Sequence, residues 1–277
     1  MLWKRVATAV VLLPLLLLAL FKLPATGIAV VIAVAVMIAT WEMAALIGFD
    51  RLWQQPAYVG GIGVAGVSGS IWLLEGGNVM PPVLVAGLWW FYATIHIARE
   101  DGSFGGVFGS KFGRMIAGIV IMLPCWLAFL YLFVVDSAAP RLLLYVLVLV
   151  WIADSFAYFT GRAWGKHKLA PSVSPGKSVE GMIGGMAGVA VVALMGGHYL
   201  WDLSGQALIL WLVVSLVTGA ISVVGDLTES IFKRRAGVKD SGQLLPGHGG
   251  MFDRIDALTA AIPVFALGWM MLLKAAV

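Results

Sequence analysis

The chain has 277 residues, of which 61% are hydrophobic and only 12% charged, and its mean hydropathy is +0.98. That balance excludes a soluble domain and points to a polytopic membrane protein, since one bilayer span consumes about 20 apolar residues. The net charge of +4 lies in loops between apolar runs, which argues against nucleic-acid binding, and the single cysteine, Cys125, excludes internal disulfides and cysteine-ligated zinc.

In chain order, the apolar runs predict nine spans, at about 6–21, 26–47, 57–74, 80–98, 114–134, 140–160, 181–200, 207–226 and 257–275. Helices are required because lipid cannot satisfy a bare backbone. Lys4 and Arg5 precede the first run as in a signal peptide, but Phe21, Lys22 and Leu23 offer no small-residue cleavage site, so the helix is read as retained. Alternating loops place fifteen of the 18 Lys and Arg residues on one side. The positive-inside rule then puts that side and the amino terminus in the cytoplasm. The expected fold class is therefore all-α, a polytopic integral membrane protein with about nine transmembrane helices and a cytoplasmic amino terminus. Residues 1–100 read as structural or lipid-facing helices, and 101–277 as a catalytic region with motif loops on the cytoplasmic side.

The first hundred residues are chemically quiet except for Glu42, an acid near the cytoplasmic end of the second span, open to a functional or a structural role. The stretch 101–113, DGSFGGVFGSKFG, reads as a flexible connector, since no strand–helix context supports a nucleotide fingerprint. In the sixth span Asp154, Tyr158 and Gly161 share one helical face, expected to point into the bundle because a charge facing lipid costs about 2.5–3.5 kcal/mol. Ser174-Pro175-Gly176-Lys177-Ser178 ends like a P-loop, but Pro171 stands where that motif needs glycine. The segment still offers hydroxyls and a lysine ahead of a helix amino terminus, which suits phosphate. Gly181/Gly185 and Gly184/Gly188 form two GxxxG pairs, favouring close helix contact within the subunit or across a homodimer.

The densest chemistry lies at 226–256. Asp226, Glu229, Ser230 and Lys233 share a face if the eighth helix continues past its apolar part. Downstream, Gly247, Gly249 and Gly250 flank His248, where glycines would let backbone amides approach a ligand. Asp253 and Asp256, three apart, face one way at the start of the last span. Carboxylates converging from different helix ends suit a hard cation such as Mg²⁺, and lysines beside them suit phosphates. The four histidines show no metal-type pairing. These residues point to a phosphate-handling site at the membrane surface.

The motif residues resemble a known family. Ser230-x-Phe232-Lys233-Arg234, Lys239-Asp240-Ser241-Gly242, Leu245-Pro246-x-His248-Gly249-Gly250 and Asp253-Arg254-Ile255-Asp256 are similar to the signature of phosphatidate cytidylyltransferases. Upstream, Ala153-Asp154, Gly161-Arg162, Lys177-Ser178-x-Glu180-Gly181 and Gly225-Asp226-Leu227 resemble the same family. The resemblance implies transfer of a cytidylyl group from CTP to phosphatidate with Mg²⁺, in bacterial phospholipid synthesis at the inner membrane. It implies Asp226, Lys239, Asp240 and Asp253 as catalytic residues. Asp226, Asp253 and Asp256 would be metal ligands. Ser174, Lys177, Ser178, Lys233, Arg234, His248 and Gly249 would bind substrate. A CTP-dependent lipid kinase is the nearest rival. A CDP-alcohol phosphotransferase lacks its DGxxAR motif here, and a transporter predicts midplane charges and repeated halves that this chain does not show.

Overall fold

The computed structural model describes residues 14–100, 102–134, 139–244 and 249–273. The helices are α1 (Ala25–Ile47), α2 (Gln54–Leu74), α3 (Met80–Ala98), the single turn α4 (Gly106–Gly109), α5 (Lys111–Val134), α6 (Ala139–Trp164), α7 (Val179–Trp201), α8 (Gly205–Arg235) and α9 (Phe252–Gly268). A π-helical turn, Trp269–Leu273, extends α9. Two short strands, β1 (Lys168–Ala170) and β2 (Ser174–Ser178), pair antiparallel between α6 and α7. Among the described residues eight helices are long and apolar enough to cross a membrane. The first half of the expected first span, 6–13, lies outside the described residues, and 14–22 are helical. The architecture is that of an all-α polytopic membrane protein.

Two groups of helices share one core. α5 packs against α1, α2, α3 and α9, while α6, α7, α8 and α9 pack in sequence order. The largest fully buried side chains are aromatic: Trp90, Trp126, Trp211, Phe108, Phe232, Phe252 and Phe265. Pro124 lies inside α5 and is buried, as neighbouring helices allow in a membrane bundle.

The structure refines four features of the sequence reading. The eighth helix does not stop at 226 but continues to Arg235, 31 residues in all. At 1.5 Å per residue it is about 46 Å long, so roughly ten residues project beyond a hydrocarbon core of about 30 Å. Those are the residues that carry Asp226 to Arg235. The segment 174–178 is not a loop but the second strand of a hairpin, with Lys168 opposite Ser178 and Ala170 opposite Ser174. The α7 glycines are used within the chain: a Cβ on Gly185 would lie 2.7 Å from the Ala153 carbonyl, and one on Gly181 2.8 Å from that of Ala157. This is the close backbone approach that GxxxG permits, made onto α6.

The glycine-rich stretch after α3 is packed rather than loose. Phe108 is fully buried, edge-on to Phe232 with ring centroids 5.6 Å apart. Arg235 donates to the carbonyls of Phe104 (3.2 Å) and Gly109 (2.5 Å). Arg114 donates to those of Phe108 (2.9 Å) and Ile47 (3.0 Å). Arginine forks thus satisfy the carbonyls of an irregular segment that has few backbone partners of its own.

Candidate active site

The site forms where the carboxyl ends of α6 and α8, the hairpin and the amino end of α9 meet. α8 and α9 touch at Gly225, where a Cβ would lie 2.7 Å from the Asp256 carbonyl and 3.0 Å from the Ala260 side chain. That contact brings the Asp226–Glu229–Lys233 face of α8 up to Asp253 and Asp256. The helical spacing expected for this face is present because α8 runs unbroken through it.

Lys233 lies at the centre. Its ammonium is 2.5 Å from Glu229 Oε2 and 2.8 Å from Asp253 Oδ1, and its side chain is only 12% exposed. A lysine so enclosed neutralises two carboxylates of its own chain. Asp253 is equally occupied. Its Oδ2 accepts from Ser241 N (2.9 Å), Ser241 Oγ (2.9 Å) and Gly250 N (2.8 Å). Lys233 and Asp253, expected to bind substrate and metal, therefore knit α8, α9 and the intervening loop together.

Gly249, expected to bring its amide to a ligand, has φ +79, and its close neighbour is Asp253 itself, 2.7 Å from where a Cβ would stand. A side chain is excluded here on both counts, by backbone conformation and by contact. Lys239 and Asp240 stand exposed on the same loop. His248 lies outside the described residues.

A second cluster faces the hairpin. Lys177 of β2 reaches Asp226 Oδ2 at 2.7 Å, with both side chains about a quarter to a third exposed (25% and 31%). Asp256 is half-buried, in the electrostatic reach of Asp226, Lys177 and Glu229. Glu229 itself is buried, and its Oε1 has no hydrogen-bond donor. Asp154 is accessible to solvent, and it lies on the side of α6 turned to the hairpin, α8 and α9, in the electrostatic reach of Lys177, Asp226 and Arg254. Tyr158, on the same face of α6, is exposed and accepts a hydrogen bond from Arg162 at 3.0 Å.

The hairpin residues divide. Ser178 Oγ accepts from Gly181 N at 3.1 Å and caps α7. It is buried and serves the helix before any ligand. Arg234 donates through Nε to the Val173 carbonyl at 3.3 Å, tying α8 to the hairpin turn. Ser174 is half-buried and Lys177 points to Asp226. Three residues matter here that the motif reading did not place in the site: Glu229, Ser241 and Glu42. Glu229 was visible as the i+3 neighbour of Asp226. Nothing local pairs Glu42 with Ser241, 199 positions away.

The residues fit a divalent cation in a particular way. Among the described residues no three His, Cys, Asp or Glu side chains form a preassembled cage. Mg²⁺ commonly takes only one or two protein carboxylates and completes its shell with phosphates and water. An orphaned buried carboxylate oxygen on Glu229 beside Asp256, with Asp226 near, is such a partial hard-oxygen set.

With the fold and these contacts in place, comparison with known proteins is decisive. Residues 3–272 match the profile of the Cytidylyltransferase family. The chain belongs to that family. It is similar to a Pseudomonas aeruginosa protein named phosphatidate cytidylyltransferase, at 44% identity over 266 residues, 96% of each chain. A Haemophilus influenzae protein of the same name is 61% identical over 127 residues, 45% of this chain and 44% of its own. One from Staphylococcus saprophyticus is 39% identical over 157 residues, covering 56% and 60%.

Proposed function

We propose that this chain transfers the cytidylyl group of CTP to phosphatidate, giving CDP-diacylglycerol and pyrophosphate. The observation that carries the reading is the paired cluster at the ends of α8 and α9, Lys177–Asp226 beside Glu229 and Asp256, in a chain 44% identical over 96% of its length to a phosphatidate cytidylyltransferase.

A phosphate oxygen of phosphatidate attacks the α-phosphorus of CTP. The new P–O bond forms as the bond from the α-phosphorus to the bridging oxygen breaks, and pyrophosphate leaves with that electron pair. The attacking monoester is largely ionised at neutral pH, its second pKa being about 6, so no protein base is required. Catalysis then rests on positioning and charge neutralisation. Lys177, Lys239 and Arg234 would be the cations that meet phosphate oxygens. Asp226 and Asp256, with Glu229, would hold Mg²⁺. When bound, that ion supplies charge neutralisation on the phosphate oxygens that no lysine alone matches. Lys233 and Asp253 keep the carboxylates and the 239–250 loop in register. Ser174 and His248 remain candidates for substrate contact, and Asp240 for orienting Lys239.

The site end belongs on the cytoplasmic face of a bacterial inner membrane, where CTP is available and the phosphatidate headgroup sits at the same depth as the projecting end of α8. A cysteine introduced at Leu244, which is half exposed, reports on this, because the native Cys125 is buried. It is expected to react only from the cytoplasmic side, and reaction from outside alone would refute the orientation. The activity itself is tested on protein in detergent with phosphatidate and α-labelled CTP. Label entering a chloroform-soluble product with Mg²⁺, and not with EDTA, is the expected result. Release of CDP without labelled lipid would establish a kinase instead.

A further inference from the structure

We propose that Glu42, contributed by α1, is a positioning residue that latches the loop between α8 and α9 at two points, Ser241–Gly242 and Gly250–Phe252, and so sets where Lys239 and Asp240 stand. The inference rests on the transferase reading above for its catalytic consequence, but the latch itself is a matter of contacts. Glu42 is 7% exposed. Its Oε2 accepts from Phe252 N at 2.8 Å and lies 3.1 Å from Ser241 Oγ. That hydroxyl also stands 2.9 Å from Asp253 Oδ2, its one proton available to either carboxylate. The loop closes on Glu42 without a gap, since a Cβ on Gly242 or on Gly250 would collide with the Glu42 carboxylate.

Three physical points favour a latch over a buried anchor. First, α9 has no side-chain cap of its own, as Met251 at its N-cap position supplies none. Glu42 meets an otherwise orphaned amide at the positive end of that helix dipole, where a carboxylate is favoured. Second, the two loop segments that Glu42 touches, at 241–242 and 250–252, are the two that Asp253 holds through Ser241 N and Gly250 N. One carboxylate from α1 and one from α9 thus hold the same two segments, and both reach the Ser241 hydroxyl. Third, the exposed pair Lys239–Asp240 immediately precedes Ser241, so whatever fixes Ser241 fixes their exit from the membrane surface.

The test uses the full chain in membranes with Leu244→Cys as reporter, compared with the same chain carrying Glu42→Gln or Glu42→Ala. The rate of maleimide labelling, the thermal midpoint, and kcat and KM for CTP are measured on each. Glu42→Gln keeps an oxygen acceptor and is expected to label and turn over within about threefold of its parent. Glu42→Ala leaves the Phe252 amide without its acceptor and the Ser241 hydroxyl with Asp253 as its only acceptor. It is expected to label roughly 10-fold faster and to lose roughly 10- to 100-fold in kcat/KM, the scale of a lost charge-assisted bond. Ser241→Ala is expected to move in the same direction and, combined with Glu42→Ala, to be non-additive. It stands in for Glu42→Ala if that variant does not fold. A lower thermal midpoint with an unchanged labelling rate would show that Glu42 only supports the fold, and would overturn the latch, as would additive effects. If the parent itself made no labelled lipid, the transferase reading would fail while the labelling result still judged the latch.

Discussion

At the end of α8 away from the site, Ser215 and Thr218 return their hydroxyls to carbonyls four residues earlier, those of Trp211 (2.7 Å) and Val214 (2.8 Å). Tyr145 Oη meets Ser215 Oγ at 2.6 Å inside a cluster of Trp201, Trp211 and Phe265. At the site end of the same helix, Asp226 and Lys233 are joined to Lys177 and Asp253, on other elements. In the first arrangement the hydroxyls of Ser215 and Thr218 are satisfied within the helix, and contact with other helices is made by aromatic surfaces and the Tyr145–Ser215 hydrogen bond. The second satisfies charge through tertiary assembly, with Lys233–Glu229 as a pair within the helix. Removing one member therefore strands another, which is costly for stability but keeps the geometry of the survivors well defined.

This contrast can be broken or sharpened by substitution. The largest effect on activity is expected from Asp226→Asn, which keeps the shape but removes one of the three carboxylate charges of the partial cation site. Turnover should fall roughly 100- to 1000-fold, with the protein still folded and inserted. Full activity would remove Asp226 from the mechanism. Lys233→Met should act first on stability. It leaves Glu229 and Asp253 without their counter-charge, a loss of about 3–5 kcal/mol, read as a lower thermal midpoint in detergent. Adding Glu229→Gln to it should restore part of that loss, and no restoration would argue against a charge effect. Gly185→Leu forces a side chain between α6 and α7 and is expected to cost about 1–3 kcal/mol. An unaltered midpoint would mean the helices separate readily there. The smallest effect is expected at the far end, where Tyr145→Phe should cost about 1 kcal/mol and leave kcat unchanged. A drop in kcat would show that the two ends of α8 are coupled.

The helices were legible because the apolar runs are long and lipid permits little else. The face Asp226–Glu229–Lys233 was legible for the same reason, as helical spacing puts i, i+3 and i+7 together wherever the helix continues. The roles within it were not. Lys233 reads as a phosphate cation until Asp253 is seen beside it, and Ser178 reads as part of a phosphate cradle until it is seen capping α7. The GxxxG pairs announced a close contact without saying onto what, and the structure spends them on α6.

By itself the sequence determined which segments enter the bilayer and where charge concentrates, since hydropathy and helical period are local properties of the chain. Only the tertiary structure decided which charges neutralise one another, because that depends on how α1, the hairpin, α8 and α9 converge. Glu42 is the clearest case. Its meaning comes from a loop 199 positions away in sequence and 3.1 Å away in space.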